Sequence, residues 1–273
     1  MLRSMYSGVS GMRGFQTKLD VIGNNIANVN TVGFKSGRVM FKDIMSQTVG
    51  GASAPNDAGQ GGINPKQIGL GVTVGSIDTI HLGGSAMTTN QPLDLRIDGD
   101  GFFAVQLGDD QEQPFLTRAG NFHIDANRNI VTGDGMRVVA SGGGPIEPLE
   151  DTVTGLTIAQ DGTLMLAMND GTIQQGPKIG IVKVVNPEGL EKIGGNLYRM
   201  TANANPDGAL EVVDANSTEA GTGAIISGQL EMSNVELTAE FTEMIVAQRG
   251  FQANSRIITT SDEVLQEVVN LKR

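Results

Sequence analysis

The sequence has no cysteine and no tryptophan, two tyrosines, two histidines, and an aromatic content of 4% over 273 residues. Without cysteine there is no disulfide framework, no thiolate zinc site and no cysteine nucleophile. His81 and His123 are too few for a multi-histidine metal site, and neither has a partner nearby in sequence. Grooves that stack sugars are rich in Trp and Tyr, so glycoside hydrolysis is disfavoured even though the 30 acidic residues supply many carboxylate pairs. No apolar run approaches the roughly 18 residues of a membrane span, and the first residues lack the apolar core and cleavage site of a secretory signal. Basic residues number 19, for a net charge of −11. Nucleic acid and anionic membranes are therefore not expected as partners.

Signatures of chemistry are missing too. There is no Gly-Lys pair for a P-loop and no Gly-x-Ser-x-Gly elbow. The run GLGVTVG at 69–75 has the wrong glycine spacing for a dinucleotide fingerprint and reads as a strand edge with tight turns. Asp125, Asn127 and Asn129 begin like a calcium loop, but Ile130 occupies the glycine position and Met136 the bidentate glutamate position. Asp98 and Asp100 stand two apart with no third acid beside them. These segments read as solvated β-turns. No catalytic, cofactor or metal residue is nominated, and the chain reads as a non-enzyme.

What is abundant is glycine, 38 residues, about twice the ordinary share. It is unevenly placed. The last 44 residues contain only Gly250, and every proline lies between Pro55 and Pro206, so both ends are free of the strongest helix breaker. Charge is uneven as well: +4 over 1–45, −12 over 46–229 and −3 over 230–273.

The C-terminal zone reads as one long helix. Leu237, Met244, Phe251, Ile258 and Leu265 recur every seven residues, and Phe241, Ile245, Val268 and Val269 widen the stripe. Ser233 or Asn234 is placed to cap its start, and Lys272 and Arg273 suit the negative end of its dipole. The N-terminal zone answers with Met5, Met12, Leu19 and Ile26 in one row and Phe15, Ile22 and Val29 in the next. Its Gly8, Gly11, Gly14 and Gly23 each cost about 1 kcal/mol relative to Ala, so this helix is expected to be weak alone and to order on packing. Small residues at Ser4, Ser7, Gly8 and Gly11 would let another backbone approach closely. The opposite charges of the ends fit pairing with each other or with neighbouring copies.

The middle zone reads as β. Strand-like runs at Leu93–Ile97, Phe102–Leu107, Phe122–Ile124, Met136–Ala140, Leu164–Met168 and Ile179–Val185 are separated by Gly-Asp and Gly-Asn punctuation. Asp161-Gly162 and Asn169-Asp170-Gly171 bracket one strand, a strong hairpin signal. Residues 50–69 form a glycine-rich stretch expected to be a loop or extended arm, and a compliant element of any assembly. The expected class is α+β, mostly β, with coiled-coil-like terminal helices enclosing a β-rich module. The expected division is an N-terminal helix at 1–32, an arm at 33–75, a β module at 76–225 and a C-terminal helix at 226–273.

Four stretches carry a resemblance: LDVIGNNIANVNTVGFKSG at 19–37, LDLRIDGDGFF at 93–103, TRAGNFHIDANRNIVTGDG at 117–135, and the whole of 228–273 from GQLEMSNVELTAEF onward. They resemble the bacterial flagellar rod and hook axial proteins. The resemblance implies a structural subunit that stacks helically into a hollow tube, with the terminal helices as inner layer and the β module outside. It implies assembly contacts through Met5, Met12, Phe15, Leu19, Ile22, Ile26, Val29, Leu237, Phe241, Met244, Phe251, Ile258, Leu265 and Val269. It also implies export, unfolded and without a cleaved signal, by the flagellar type III apparatus to a place in the hook or basal body. Implied partners are many copies of itself and the distal rod, hook cap and hook–filament junction proteins; no cofactor is implied. The end motifs and MIVAQR at 244–249 favour a short hook-type member. The length and GNLYRM at 195–200 fit a distal-rod-type member as the alternative. A secreted carbohydrate-active or calcium-binding β protein is the remote reading.

Overall fold

The computed structural model describes residues 2–55, 61–108, 111, 113–206, 208 and 210–271. The basic pair Lys272 and Arg273 and the arm's Gly59 lie outside the described residues. The chain divides into two units, Met1–Ala27 with Gly37–Thr79 and Glu236–Arg273, and Asn28–Ser36 with Ile80–Val235. Helices at both ends thus flank a β-rich middle, and the class is α+β, mostly β.

The first unit holds two helices, α1 (Leu2–Ala27) and α2 (Leu237–Leu271). Neither helix contains proline, and both carry the apolar periodicity of a helix that packs on one side. Their companions are β1 (Gly37–Asp43), β2 (Ser46–Gly50), β3 (Lys66–Gly69) and β4 (Val72–Thr79). β1 pairs antiparallel with β4, setting Val39 opposite Ile77 and Phe41 opposite Val74. β2 pairs with β3, and Ser53 bridges to Ile63. The glycine-rich stretch, read from sequence as a loop or extended arm, is therefore an extended arm whose two sides pair as a ribbon over its described residues. Its strands are exposed throughout apart from half-buried Gly50, so no burial pattern marks them. Pairing was invisible because its partners stand about twenty residues apart.

Ser233 and Asn234 do not cap α2. The first backbone bond of the helix runs from Glu240 N to Glu236 O at 3.0 Å. The Asn234 side chain is engaged within the β unit, accepting from Ser36 N at 2.8 Å and donating to Ile80 O at 2.8 Å.

The second unit is built on β5 (Ala86–Thr88), β6 (Leu95–Asp98), β7 (Phe102–Gln106) and β8 (Phe115–Thr117), followed by shorter strands. β7 is the centre of a nine-stranded antiparallel sheet among the described residues and pairs with β8, Arg137–Val138 and Gly180–Val182. All five β7 residues are buried. Successive side chains point to opposite faces, so Phe103 and Val105 join Leu95, Ile130, Leu164 and Ile179 in one core. Phe102 and Ala104 join Leu116, Val182 and Tyr198 in the other. The hairpin signals hold: Val153–Ile158, Thr163–Met168 and Ile173–Lys178 form a three-stranded meander whose turns fall at the two glycine motifs.

One charged cluster lies inside this unit. Lys35 Nζ donates to Glu231 Oε1 at 2.6 Å and to Leu82 O at 2.7 Å. Arg118 Nη1 reaches Glu231 Oε2 at 3.3 Å, and its Nη2 donates to Gly99 O at 2.9 Å. Gly84 N donates to Glu231 Oε1 at 3.0 Å. Lys35 is 0% exposed and Glu231 2%. Burial works to raise the Glu231 carboxyl, but Arg118 and Lys35 outweigh it and hold it below its ordinary value. Burial lowers the Lys35 ammonium against the pull of Glu231. Lys35 and Glu231 both fall outside the 76–225 module read from sequence, although they surround Arg118 within it. The unit seen here instead runs from 80 to 235 and takes in 28–36, because a buried guanidinium requires its carboxylate.

His81 sits beside this cluster, 5.7 Å from the Phe102 ring and 5.6 Å from the Tyr198 ring. Burial, and then the charges of Lys35, Lys192 and Arg118, lower its pKa from 6.5 to about 4, with a hydrogen bond to the Pro187 backbone opposing. The unfolded chain therefore binds this proton more tightly than the folded one. The contribution of neutral His81 is fully present above pH 6.5 and is lost as pH falls toward 4. Because the ring is only partly buried and solvent screens it, the loss is expected to be about 1–2 kcal/mol. Urea unfolding at a series of pH values checks it: His81→Leu should be distinctly less acid-sensitive than the parent chain across that window, and equal slopes would refute the assignment.

Candidate assembly interface

α1 and α2 pack antiparallel. Lys18 Nζ donates to Glu243 Oε2 at 2.5 Å, and Asn25 Nδ2 donates to Glu240 Oε1 at 2.9 Å. Asn25 is buried and also exchanges hydrogen bonds with the Gly37 backbone at 2.9 and 3.0 Å, fixing the start of β1 against the end of α1. Burial raises the Glu240 carboxyl, opposed by its hydrogen bond from Asn25.

Further along, small residues set the spacing. A Cβ on Gly8 would stand 3.4 Å from Ile258 and 3.5 Å from the Asn254 carbonyl, and one on Gly11 would stand 2.8 Å from the Asn254 side chain. A Cβ on Gly250 would lie 2.6 Å from the Phe15 ring, and one on Gly14 2.9 Å from the Phe41 ring. The Phe15 and Phe41 rings lie 5.9 Å apart and tilted. Of the glycines that weaken α1 as an isolated helix, Gly8 and Gly11 thus admit the partner helix and Gly14 the Phe41 ring, while Gly250 of α2 admits Phe15. By this register the last turns of α2 run on past the first turn of α1.

The nominated positions separate. Ile22 is buried, and Met5, Met12, Phe15, Leu19 and Ile26 are half-buried on α1. Val29 is half-buried in the turn after α1 and belongs to the β unit. On α2, Met244, Ile258 and Leu265 are half-buried, while Leu237 (40%), Phe241 (50%), Phe251 (37%) and Val269 (63%) are exposed. Ile245, Val264 and Val268 are exposed with them. The five-heptad row is therefore not one buried seam within the chain. The face toward α1 is completed by Ala247, Gly250 and Asn254, which carry no hydrophobic signal and were missed. Only their spacing could have found them: Ala247 stands three residues after Met244, Gly250 three after Ala247, and Asn254 four before Ile258. α2 is left with exposed apolar side chains beyond its contact with α1, and Tyr6, Ile44 and Met45 add exposed apolar surface elsewhere in the same unit.

Among the described residues, no cluster of acids and imidazoles suits a metal ion, and no helix is long and apolar enough to cross a membrane. Asp125 and Asn129 close a β-turn, with Asp125 N donating to Asn129 O at 2.9 Å. His123 is exposed on a short strand.

Three family models match separate stretches: the flagellar basal body rod protein over 5–35, the flagellar hook protein FlgE/F/G D1 domain over 96–166, and the flagellar basal body rod FlgEFG protein C-terminal over 226–271. Over its full length the chain is 57% identical to the flagellar basal-body rod protein FlgG of Bacillus subtilis, with 100% of each chain covered. The chain belongs to the flagellar rod and hook axial protein family. It is also 36% identical over 277 residues to the FlgG protein of Borreliella burgdorferi, and 30% identical over 450 residues to the flagellar hook protein FlgE of that organism, each alignment covering 100% of both chains. Members of this family are structural components of the flagellum. The two terminal models cover most of α1 and all of α2, so the helix pair is part of what defines the flagellar match.

The glycines give a paired expectation. Gly23 has nothing within 4 Å of an added Cβ, so Gly23→Ala should stabilise the helix by up to about 1 kcal/mol. Gly250→Ala must displace Phe15 and should destabilise by about 1–3 kcal/mol. Helicity melts followed by circular dichroism on the two variants check the opposite signs.

Proposed function

We propose that this chain is a structural subunit of the flagellar rod, of the distal-rod kind, which polymerises helically with copies of itself into a hollow shaft that transmits torque. The observation that carries the reading is 57% identity to a rod protein across the whole of both chains. The hook subunit favoured by the end motifs is the weaker reading. Its full-length support is 30% identity spread over 450 aligned residues, which places long gaps in a 273-residue chain.

The exposed apolar side chains of α2 support the polymer. Each large apolar side chain moved from water into a contact contributes about 1.5–3 kcal/mol. Phe241, Ile245, Phe251, Val268 and Val269 repeat that gain in every copy, while the Lys18–Glu243 and Asn25–Glu240 pairs hold the helices together. On this reading the nominated positions of α1 and α2 form the inner axial layer. The partners are further copies, neighbouring axial components of rod and hook, and the flagellar type III apparatus that exports the chain without a cleaved signal.

Cells lacking the gene should carry a rod truncated inside the envelope; a complete but hookless rod would return the hook reading. Phe241 and Phe251 are exposed in the single chain, so Phe241→Asp and Phe251→Asp should leave the monomer melt nearly unchanged. They should abolish assembly and swimming, because each places an unpartnered charge in a contact that recurs in every copy. Normal swimming by both variants would remove these side chains from the interface.

A further inference from the structure

Three stretches of the chain that carry the family resemblance meet at the buried carboxylate of Glu231. Lys35 comes from 19–37, Arg118 from 117–135, and Glu231 and Asn234 from the C-terminal stretch. The cluster lies at the points where the chain leaves the β unit. Of the four crossings, those at 36/37, 79/80 and 235/236 are tied by a closed set of hydrogen bonds inside that unit. Ser36 N donates to Asn234 Oδ1 at 2.8 Å, Asn234 Nδ2 donates to Ile80 O at 2.8 Å, and Ile80 N donates to Ser36 O at 2.9 Å.

Glu231 fastens the same segments a second time. Its backbone O accepts from Gly33 N at 2.8 Å, and Oε1 accepts from Gly84 N at 3.0 Å. Gly33 has φ +70 and lies so close to Arg118 and Ala119 that an added Cβ would meet the Ala119 N at 2.6 Å. Lys192 Nζ donates to the Lys35 backbone O at 3.1 Å from the outer side. A buried triad of two cations and one carboxylate is a poor source of stability, since apolar side chains of similar volume often do as well or better. What charged groups supply is direction: each donor accepts one geometry.

We infer that Lys35, Arg118 and Glu231 are positioning residues for assembly, holding three chain crossings at one fixed place on the β unit so that the helical ends of every copy start from the same backbone geometry. The inference rests on the proposed polymer only for its assembly readout.

Amide hydrogen exchange on the full-length monomer tests it directly. In Glu231→Gln, the amides of Ser36, Ile80 and Gly84 should exchange about a hundredfold faster, while those of Phe103 and Val105 change far less. A triple variant, Lys35→Met with Arg118→Met and Glu231→Leu, should keep the core amides protected, leave the crossings fast, and fail to build rods in cells that carry it as the only copy. If Glu231→Gln does not fold, Lys35→Arg keeps the charge balance while changing the donor geometry at Glu231 and carries the same comparison. Unchanged exchange at the crossings would overturn the inference. So would an equal rise across the whole unit, which marks a role in stability alone, and so would normal rods from the triple variant. Failure of the unaltered chain to form rods would count against the rod reading and leave the exchange comparison to decide this one.

Discussion

A single buried carboxylate organises the β unit. Glu231 cannot be left in an apolar interior without partners, because the cost of stripping water from one charge is several kcal/mol. Lys35 and Arg118 meet that requirement, and in doing so they bring together residues 196 and 113 positions away from it. The segment after the first helix, the start of the sheet and the segment before the last helix are therefore parts of one folding problem. No shorter piece of the chain contains all three charges.

A different rule governs the helix pair. Small and polar residues, Gly8, Gly11, Gly250 and Asn254, set a close approach that large side chains would prevent. That leaves the bulky residues of α2 divided between that contact and solvent. Met244, Ile258 and Leu265 serve the contact with α1, and Phe241, Ile245 and Val268 stay in water. A helix with exposed apolar side chains beyond its own contact is unfavourable for an isolated molecule and suitable for a subunit surrounded by others. A total charge of −11 opposes non-specific association of such surfaces through self-repulsion.

The proposal of rod over hook rests on whole-chain likeness rather than on any local feature. The end motifs are shared by both kinds of protein, so they identify the family and do not separate its members. The arm at 50–69 illustrates the same limit. Its glycines read as a tether, yet the backbone on either side is paired through β2 and β3, and a paired ribbon has fewer accessible states than a free glycine loop.

Much of the architecture was legible locally. Heptad apolar spacing without proline determined two terminal helices, the apolar run FFAV determined a strand, and Asp-Gly and Asn-Asp-Gly determined the turns of the meander. Each rests on interactions a few residues apart, which is why a single sequence expresses them. Tertiary structure alone decided which heptad residues meet α1 and which face water, since helix periodicity does not say what stands opposite. It decided that Asn234 joins chain crossings instead of capping a helix, and that burial beside three cations holds His81 neutral down to about pH 4. It also decided that Lys35, Arg118 and Glu231, three ordinary charges in the sequence, share one dry site. Desolvation and charge pairing depend on neighbours brought from distant parts of the chain, and only the folded molecule assembles those neighbours.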